Sequence, residues 1–169
     1  MKHSFTLRLT ARFVVLVTLT TAAVLVIGGW LLQRQAMAGL VELHRLESQE
    51  LGEILEAAVH GATDVGHTIR EEADSDIALF YIQVRDEQGD IEFRSANLGA
   101  TLLPVLGAAE GDRVVDLPGA GRVLISETRH GTWHLQVASR LEPMDRLLQD
   151  YAKVGAVLLL AFVLTQVNF

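Results

Sequence analysis

The 169-residue sequence predicts an α+β domain held between two membrane-spanning helices. Residues 13–32 and 154–164 are apolar runs without a charged residue. After the first run, apolar residues recur at steps of three and four, which is typical of an amphipathic helix. From residue 77 onward, short segments rich in β-branched and aromatic residues alternate with glycine-containing turns, which is typical of antiparallel strands.

The first apolar run is long enough to cross a bilayer. Its 20 uncharged residues would form a helix of about 30 Å, the thickness of the hydrocarbon core. A cleavable signal peptide is the alternative, because Ala36-Met37-Ala38 has the small-x-small form of a cleavage site. We favour an uncleaved anchor, since the apolar stretch exceeds the usual signal-peptide length and Arg34 precedes the cut. The second run has 11 residues, and we expect it to continue in a longer parent chain.

Charge predicts which side of the membrane each segment occupies. Residues 33–152 hold all 21 acidic and ten of the 14 basic residues, a net charge of −11, whereas residues 1–12 hold three basic residues and no acid. Basic flanks stay in the cytoplasm. We therefore expect a cytoplasmic N-terminus at 1–12, a first span at 13–32, a periplasmic domain at 33–152 and a truncated second span at 153–169, in a bacterial inner membrane. The acidity argues against nucleic-acid binding, and without cysteine no disulfide forms.

The periplasmic domain is expected to begin with a helix over residues 35–72. Glycines at 52, 61 and 66 weaken such a helix, so it needs tertiary or dimer packing and is expected to break near Gly61. The apolar or small residues that define its buried stripe are Leu40, Leu43, Leu51, Ile54, Leu55, Ala58, Ala62, Val65 and Ile69.

Five strands are expected at residues 77–86, 91–95, 113–117, 121–128 and 132–139, with a loop at 97–112. The last two alternate so that each shows one apolar and one polar face. A second helix is expected after them, with Ser139 or Arg140 near its cap and Pro143 in its first turn. A meandering sheet covered on one face by a long helix is the layout of PAS-like sensor domains. The aromatic residues expected in the core are Phe80, Tyr81, Phe93 and Trp133.

Three segments resemble bacterial two-component sensor histidine kinases, especially heavy-metal-responsive ones. Residues 81–98 (YIQVRDEQGDIEFRSANL) are similar to part of their periplasmic domain, residues 131–142 (GTWHLQVASRLE) to the strand before their second span, and residues 7–13 (LRLTARF) to their cytoplasmic lead-in. The resemblance implies a homodimer that reaches a response regulator through a cytoplasmic half absent from this chain. No glycine-rich phosphate loop or phosphoacceptor motif is present, so we expect no enzymatic activity in these residues.

One helical face carries a candidate metal site. Imidazole and carboxylate groups bind Zn, Cu or Ni, and steps of four and three place five such residues together. The alternatives are a solvated polar face and pH sensing through the histidines. A divalent cation is the one cofactor that the sequence suggests. The five residues are Glu56, His60, Asp64, His67 and Glu71.

A second candidate site lies in the first hairpin, where Arg85, Arg94 and Ser95 could bind a small carboxylate or phosphate. The alternative is pairing of Arg85 with Asp86 or Glu92. Three other histidines, His44, His130 and His134, are expected at the surface.

The sequence thus predicts the signal-sensing and transmembrane region of a two-component sensor kinase. One alternative is a complete small envelope protein that anchors or regulates a partner. Another is the input half of a chemoreceptor or of a cyclic-dinucleotide enzyme, which has the same order of segments.

Overall fold

A computed structural model describes the backbone of residues 2–61, 80–106 and 111–167, and the side chains of residues 12–57, 80–106 and 111–165. The described chain is α+β, as predicted, and divides into two compact units, Ala38–Glu142 and Met1–Met37 with Pro143–Phe169. Its elements are helix α1 (Lys2–Gly61), strands β1 (Tyr81–Arg85), β2 (Ile91–Arg94), β3 (Gly111–Leu117), β4 (Gly121–His130) and β5 (Trp133–Arg140), a 3₁₀ turn (Ala96–Leu98), and helix α2 (Glu142–Val167).

The unit of Met1–Met37 and Pro143–Phe169 is made of the two apolar helix segments. By length and composition, both α1 and α2 suit a membrane span, and their most apolar windows are 0% and 6% buried. Thr20 and Thr21 donate their hydroxyls to backbone carbonyls four residues earlier, which satisfies these polar groups without water. The Tyr151 hydroxyl donates to the Leu25 carbonyl at 3.2 Å, and Gly155 lies against the Leu25 side chain.

The five strands form one antiparallel sheet in the order β2-β1-β5-β4-β3. The number of strands and their antiparallel direction are therefore confirmed. The sheet is not a simple meander, because β5 pairs with β4 on one side and with β1 on the other. The first and last strands thus lie side by side in its centre, and β2 and β3 form its edges.

Both faces of the sheet are covered. On one face, Leu51 and Leu55 of α1 pack against apolar residues of β1 and β5. On the other, residues 98–106 pack against β1, β4 and β5. The face of β5 that was expected to be polar is therefore covered as well, and Gln136 on that face is only 1% exposed. The core prediction holds for the aromatic residues: Phe80, Tyr81 and Phe93 are buried and Trp133 is partly buried.

The buried stripe of α1 differs from the predicted one at its beginning. Leu51 and Leu55 are buried as predicted, whereas Leu43 remains 47% exposed. His44 and Ser48 take that place in the stripe and are 0% and 1% exposed. Residues 44, 48, 51 and 55 keep the helical steps of four and three. The predicted period of the buried stripe is therefore correct, but its two polar residues, His44 and Ser48, were not predicted. Residues 62–72 of the predicted helix lie outside the described residues.

Two strands extend further than the sequence predicts. Asp112 belongs to β3 and not to a loop, because it pairs with Ser126 of β4. Ser139 and Arg140, expected near the cap of the second helix, are the last two residues of β5, and that helix begins at Glu142. The backbone N–H of Leu141 donates to the Arg122 carbonyl at 2.9 Å, so extended pairing continues to the residue before α2.

Candidate functional site

The described part of the chain contains only a fraction of the predicted metal site. Glu56 is exposed on α1, and His60 lies in the last turn of that helix, although its side chain falls outside the described set. Asp64, His67 and Glu71 lie within residues 62–79, which the structure does not describe. Among the described side chains, no group of three or more His, Cys, Asp or Glu residues is placed to hold a metal ion. The five-residue metal site therefore stays a prediction.

The three residues of the predicted anion site have separate surroundings. Arg85 donates to the Leu103 carbonyl and not to Asp86 or Glu92, so the predicted pairing of Arg85 with a carboxylate is not what the side chain does. The Ser95 hydroxyl accepts from the Ile82 N–H at 2.9 Å and donates to Asn97 Oδ1 at 2.6 Å. Arg94 is exposed on β2, opposite Gln83. Anion binding by this set stays a prediction, without a contact that joins its members.

A buried polar cluster holds residues 103–106 over the sheet. Gln136 Nε2 donates to the Pro104 carbonyl at 2.8 Å and to Glu127 Oε2 at 2.9 Å, and its Oε1 accepts from Gln83 Nε2 at 2.9 Å. Gln83 Oε1 accepts from the Leu103 N–H at 3.1 Å. Each of these buried amides thus bonds to the loop, which explains why polar residues face the interior here.

A second buried polar site in the described residues is centred on His44. The imidazole is fully buried between α1 and the sheet. Its Nδ1 lies 2.8 Å from the Ser126 hydroxyl on β4, and its Nε2 lies 2.7 Å from the Ser139 hydroxyl on β5. The Ser126 hydroxyl also donates to Asp112 Oδ1 on β3 at 2.6 Å. One chain of hydrogen bonds therefore joins α1 to three strands, which we call the His44 network.

Hydrogen-bond donation in the His44 network follows from the Asp112 carboxylate. A carboxylate can only accept, so Ser126 gives its single proton to Asp112. The Ser126 oxygen must then accept from His44, which places the imidazole proton on Nδ1. With Nδ1 protonated, the neutral ring accepts at Nε2, and Ser139 donates there. This assignment satisfies both ring nitrogens of a neutral histidine.

Burial lowers the pKa of His44 from 6.5 to about 4, because the charged imidazolium loses its hydration, while the negative charge of Asp112 acts in the opposite direction. The edge of the Phe80 ring approaches the imidazole, with 5.7 Å between ring centroids. His44 is therefore neutral near pH 7. Since no solvent reaches the ring, the network can respond to protons but presents no nucleophile to a substrate.

His130 and His134, which were expected at the surface, differ in their solvent exposure. His130 packs on α1, where an ideal Cβ built at Gly52 would lie 2.5 Å from its ring, and its Nε2 is buried without a hydrogen-bond partner. The prediction of exposure is wrong for His130 because β4 extends to this residue and turns it onto the helix. His134 is 37% exposed, with its Nδ1 3.4 Å from Glu127 Oε1.

Sequence reasoning missed the His44 network, although one signal for it was present. His44 and Ser48 lie two turns and one turn before Leu51 on the same helical stripe, at steps of four and three. The serines gave no comparable signal, since Ser126 lies inside an expected strand and Ser139 was expected near a helix cap.

Comparisons with known proteins give no information about the function of this chain. No family model matches the chain, and no curated protein or solved structure is significantly similar to it.

Proposed function

We propose that this chain is the signal-sensing and transmembrane region of a bacterial two-component sensor histidine kinase. In this proposal α1 and α2 cross the inner membrane, and the Ala38–Glu142 unit is a PAS-like domain in the periplasm. The acidic composition of residues 33–152 and the basic residues of 1–12 support this orientation. In this proposal two copies of the chain form the working unit, and a response regulator receives the signal through the kinase's cytoplasmic half.

The observation that carries the proposal is that the sheet is attached to both apolar helices without a linker. On one side, a single helix, α1, contains the uncharged run 13–32 and also buries His44, Ser48, Leu51 and Leu55 in the sheet domain. On the other side, only Leu141 separates β5 from α2. Leu141 is fully buried and bonded to β4. Any rearrangement of the sheet would therefore move residues that belong to, or adjoin, these helices.

Such an attachment suits signalling in which the sheet domain and its helices shift between two arrangements. A stimulus changes the equilibrium only if it binds one arrangement better than the other. The His44 network is a suitable place for that difference, because sliding or rotation of α1 would break the hydrogen bonds of His44 to Ser126 and Ser139. Small helix displacements of this kind are a common form of transmembrane and interface switching.

Membrane topology gives the first test, and the absence of cysteine makes it specific. Gln88, exposed in the turn between β1 and β2, is replaced by cysteine, and Ser4 is replaced in a second, control variant. Intact cells are treated with a membrane-impermeant maleimide. We expect label on the Gln88→Cys protein in intact cells and on the Ser4→Cys protein only after lysis. The reverse pattern, or a soluble product that begins near Gly39, would contradict the proposal.

Signalling is tested by crosslinking between two copies through Gln33→Cys at the end of the first apolar run. Membranes are exposed to ZnCl₂, CuCl₂ or NiCl₂, or are shifted from pH 7 to pH 5, before oxidation. We expect a disulfide-linked dimer whose yield changes in at least one condition. The same yield in every condition would count against a stimulus-driven shift. Complete absence of the disulfide-linked dimer would count against a working unit of two copies.

A further inference from the structure

A small polar cavity opens beside the ends of β1 and β5. Its volume is about 150 Å³. An apolar cavity of about that size in another protein holds one benzene molecule, so a ligand of about six non-hydrogen atoms fits. The cavity lies within the Ala38–Glu142 unit. The side chains that matter to its chemistry are Tyr81, Asn97, Leu98, Thr101, Pro118 and Arg140.

Two hydrogen-bond donors meet on the wall of this cavity. Arg140 Nε donates to the Tyr81 hydroxyl oxygen, and the guanidinium carbon lies 5.5 Å from the centroid of the Tyr81 ring. Because the phenol oxygen accepts from Arg140, its own proton remains for a further acceptor. Among the described residues, no carboxylate forms an ion pair with Arg140. The N–H groups on the terminal nitrogens of its guanidinium can therefore also donate to a ligand.

Other residues of the lining are held in place by contacts within the domain. Asn97 Nδ2 donates to the Phe80 carbonyl at 2.6 Å, and Asn97 Oδ1 accepts from Ser95. Leu98, which follows, is 5% exposed, and Pro118 begins the turn between β3 and β4. Part of the lining is therefore apolar and part is polar.

We propose that this cavity binds a short-chain monocarboxylate. Its carboxylate accepts from the Arg140 guanidinium and the Tyr81 hydroxyl, since the planar fork of arginine matches two carboxylate oxygens. Its hydrocarbon tail lies against Leu98 and Pro118. A volume of about 150 Å³ suits a ligand of this size better than a nucleotide or a sugar, and the apolar wall favours a tail over a second charge. This inference goes beyond the proposed sensor function and does not depend on it.

Binding is measured on the full chain in detergent micelles or nanodiscs. The sequence contains two tyrosines, Tyr81 and Tyr151, so ring-¹³C tyrosine gives two sets of NMR signals, which a Tyr151→Phe variant assigns. Sodium butanoate is titrated at pH 7 against sodium chloride of equal ionic strength. We expect the Tyr81 signals to move and saturate while those of Tyr151 stay in place. No movement of Tyr81 beyond the chloride control would overturn the proposal.

Two other probes define the ligand class. Butan-1-ol carries a similar tail without the carboxylate, and inorganic phosphate carries the charge without the tail. We expect both to bind more weakly than butanoate. If either phosphate or butan-1-ol binds as tightly as butanoate, the assignment to monocarboxylates is overturned.

Arginine variants test the contact itself. Arg140→Gln should raise the half-saturating butanoate concentration by about tenfold or more, because a charge-assisted bidentate pair is lost. Arg140→Lys keeps the charge without the fork and should lie between the two, and it serves if the glutamine variant does not fold. Arg113→Gln, exposed on β3, removes the same charge away from the cavity and should bind like the original protein. Equal weakening by Arg113→Gln and Arg140→Gln would show a general charge effect and overturn the proposal.

Discussion

Acidification should destabilise the Ala38–Glu142 unit through His44. The folded pKa of His44 is lowered to about 4, against 6.5 for an ordinary histidine. Between these two values the unfolded chain binds a proton that the folded chain excludes. The stability that His44 contributes is therefore fully present above pH 6.5 and is lost as the pH falls toward 4.

The size of this effect follows from the two pKa values. With proton binding in the unfolded state only, the free energy of unfolding should fall by about 2 kcal/mol at pH 5 and about 3 kcal/mol at pH 4. Such a loss is a large share of the roughly 5 to 15 kcal/mol that stabilises a typical domain. The contribution of His44 must be measured as a difference between two proteins, because the pH-dependent contributions of all other groups then cancel.

The assay is urea unfolding of the full chain in detergent at pH 7, 6 and 5, followed by fluorescence of Trp133. The sequence has two tryptophans, and Trp30→Phe removes the other signal. His44→Gln in the same background can still bond to a serine but does not titrate. We expect the original protein to lose about 2 kcal/mol more than the glutamine variant between pH 7 and pH 5. Equal losses in the two proteins would refute the reasoning about the buried imidazole.

Three further predictions concern packing and hydrogen bonding, and each is measured by the same urea unfolding at pH 7. Gly52→Ala should destabilise the domain by about 1 to 3 kcal/mol, because the new methyl group meets the His130 ring at 2.5 Å. The control, Gly39→Ala, has nothing within 4 Å of its Cβ and should instead stabilise the protein by up to about 1 kcal/mol. Equal effects of the two substitutions would contradict the contact between Gly52 and His130. Gln136→Leu should cost at least about 2 kcal/mol, since it leaves several buried partners without a hydrogen bond; a neutral result would mean that water replaces the amide. Ser139→Ala should cost about 1 to 3 kcal/mol because Nε2 of the buried imidazole loses its donor, and an unchanged midpoint would argue against that bond.

Much of the secondary structure was predictable from local pattern. Alternation and turn residues located all five strands, since side chains alternate with a period of two wherever one face is buried. The helical period located the buried residues Leu51 and Leu55. The strand ends were less predictable, as Asp112 and Ser139 illustrate, because a polar residue near a turn looks the same whether it caps a helix or pairs in a sheet.

The candidate sites could not be assembled from the sequence. Arg85 was expected to bind a carboxylate or an anion, but the loop at 103–106 offers its guanidinium a carbonyl instead. Arg140 was treated as a residue near a helix cap, although it lines the cavity with Tyr81, 59 residues away along the chain. Contacts over such separations depend on which strands are neighbours, and local periodicity does not contain that information.

The sequence by itself determined the α+β class, the two uncharged runs, the acidic domain between them and the approximate position of each strand. These features depend on composition and on repeats of two or 3.6 residues, which are local. Only the tertiary structure decided that β1 lies beside β5, that both sheet faces are covered, and that His44 is buried between two serines. Those arrangements arise because folding brings distant polar groups together out of water, and a buried polar group must then find its hydrogen-bond partner among whichever residues the topology has placed beside it.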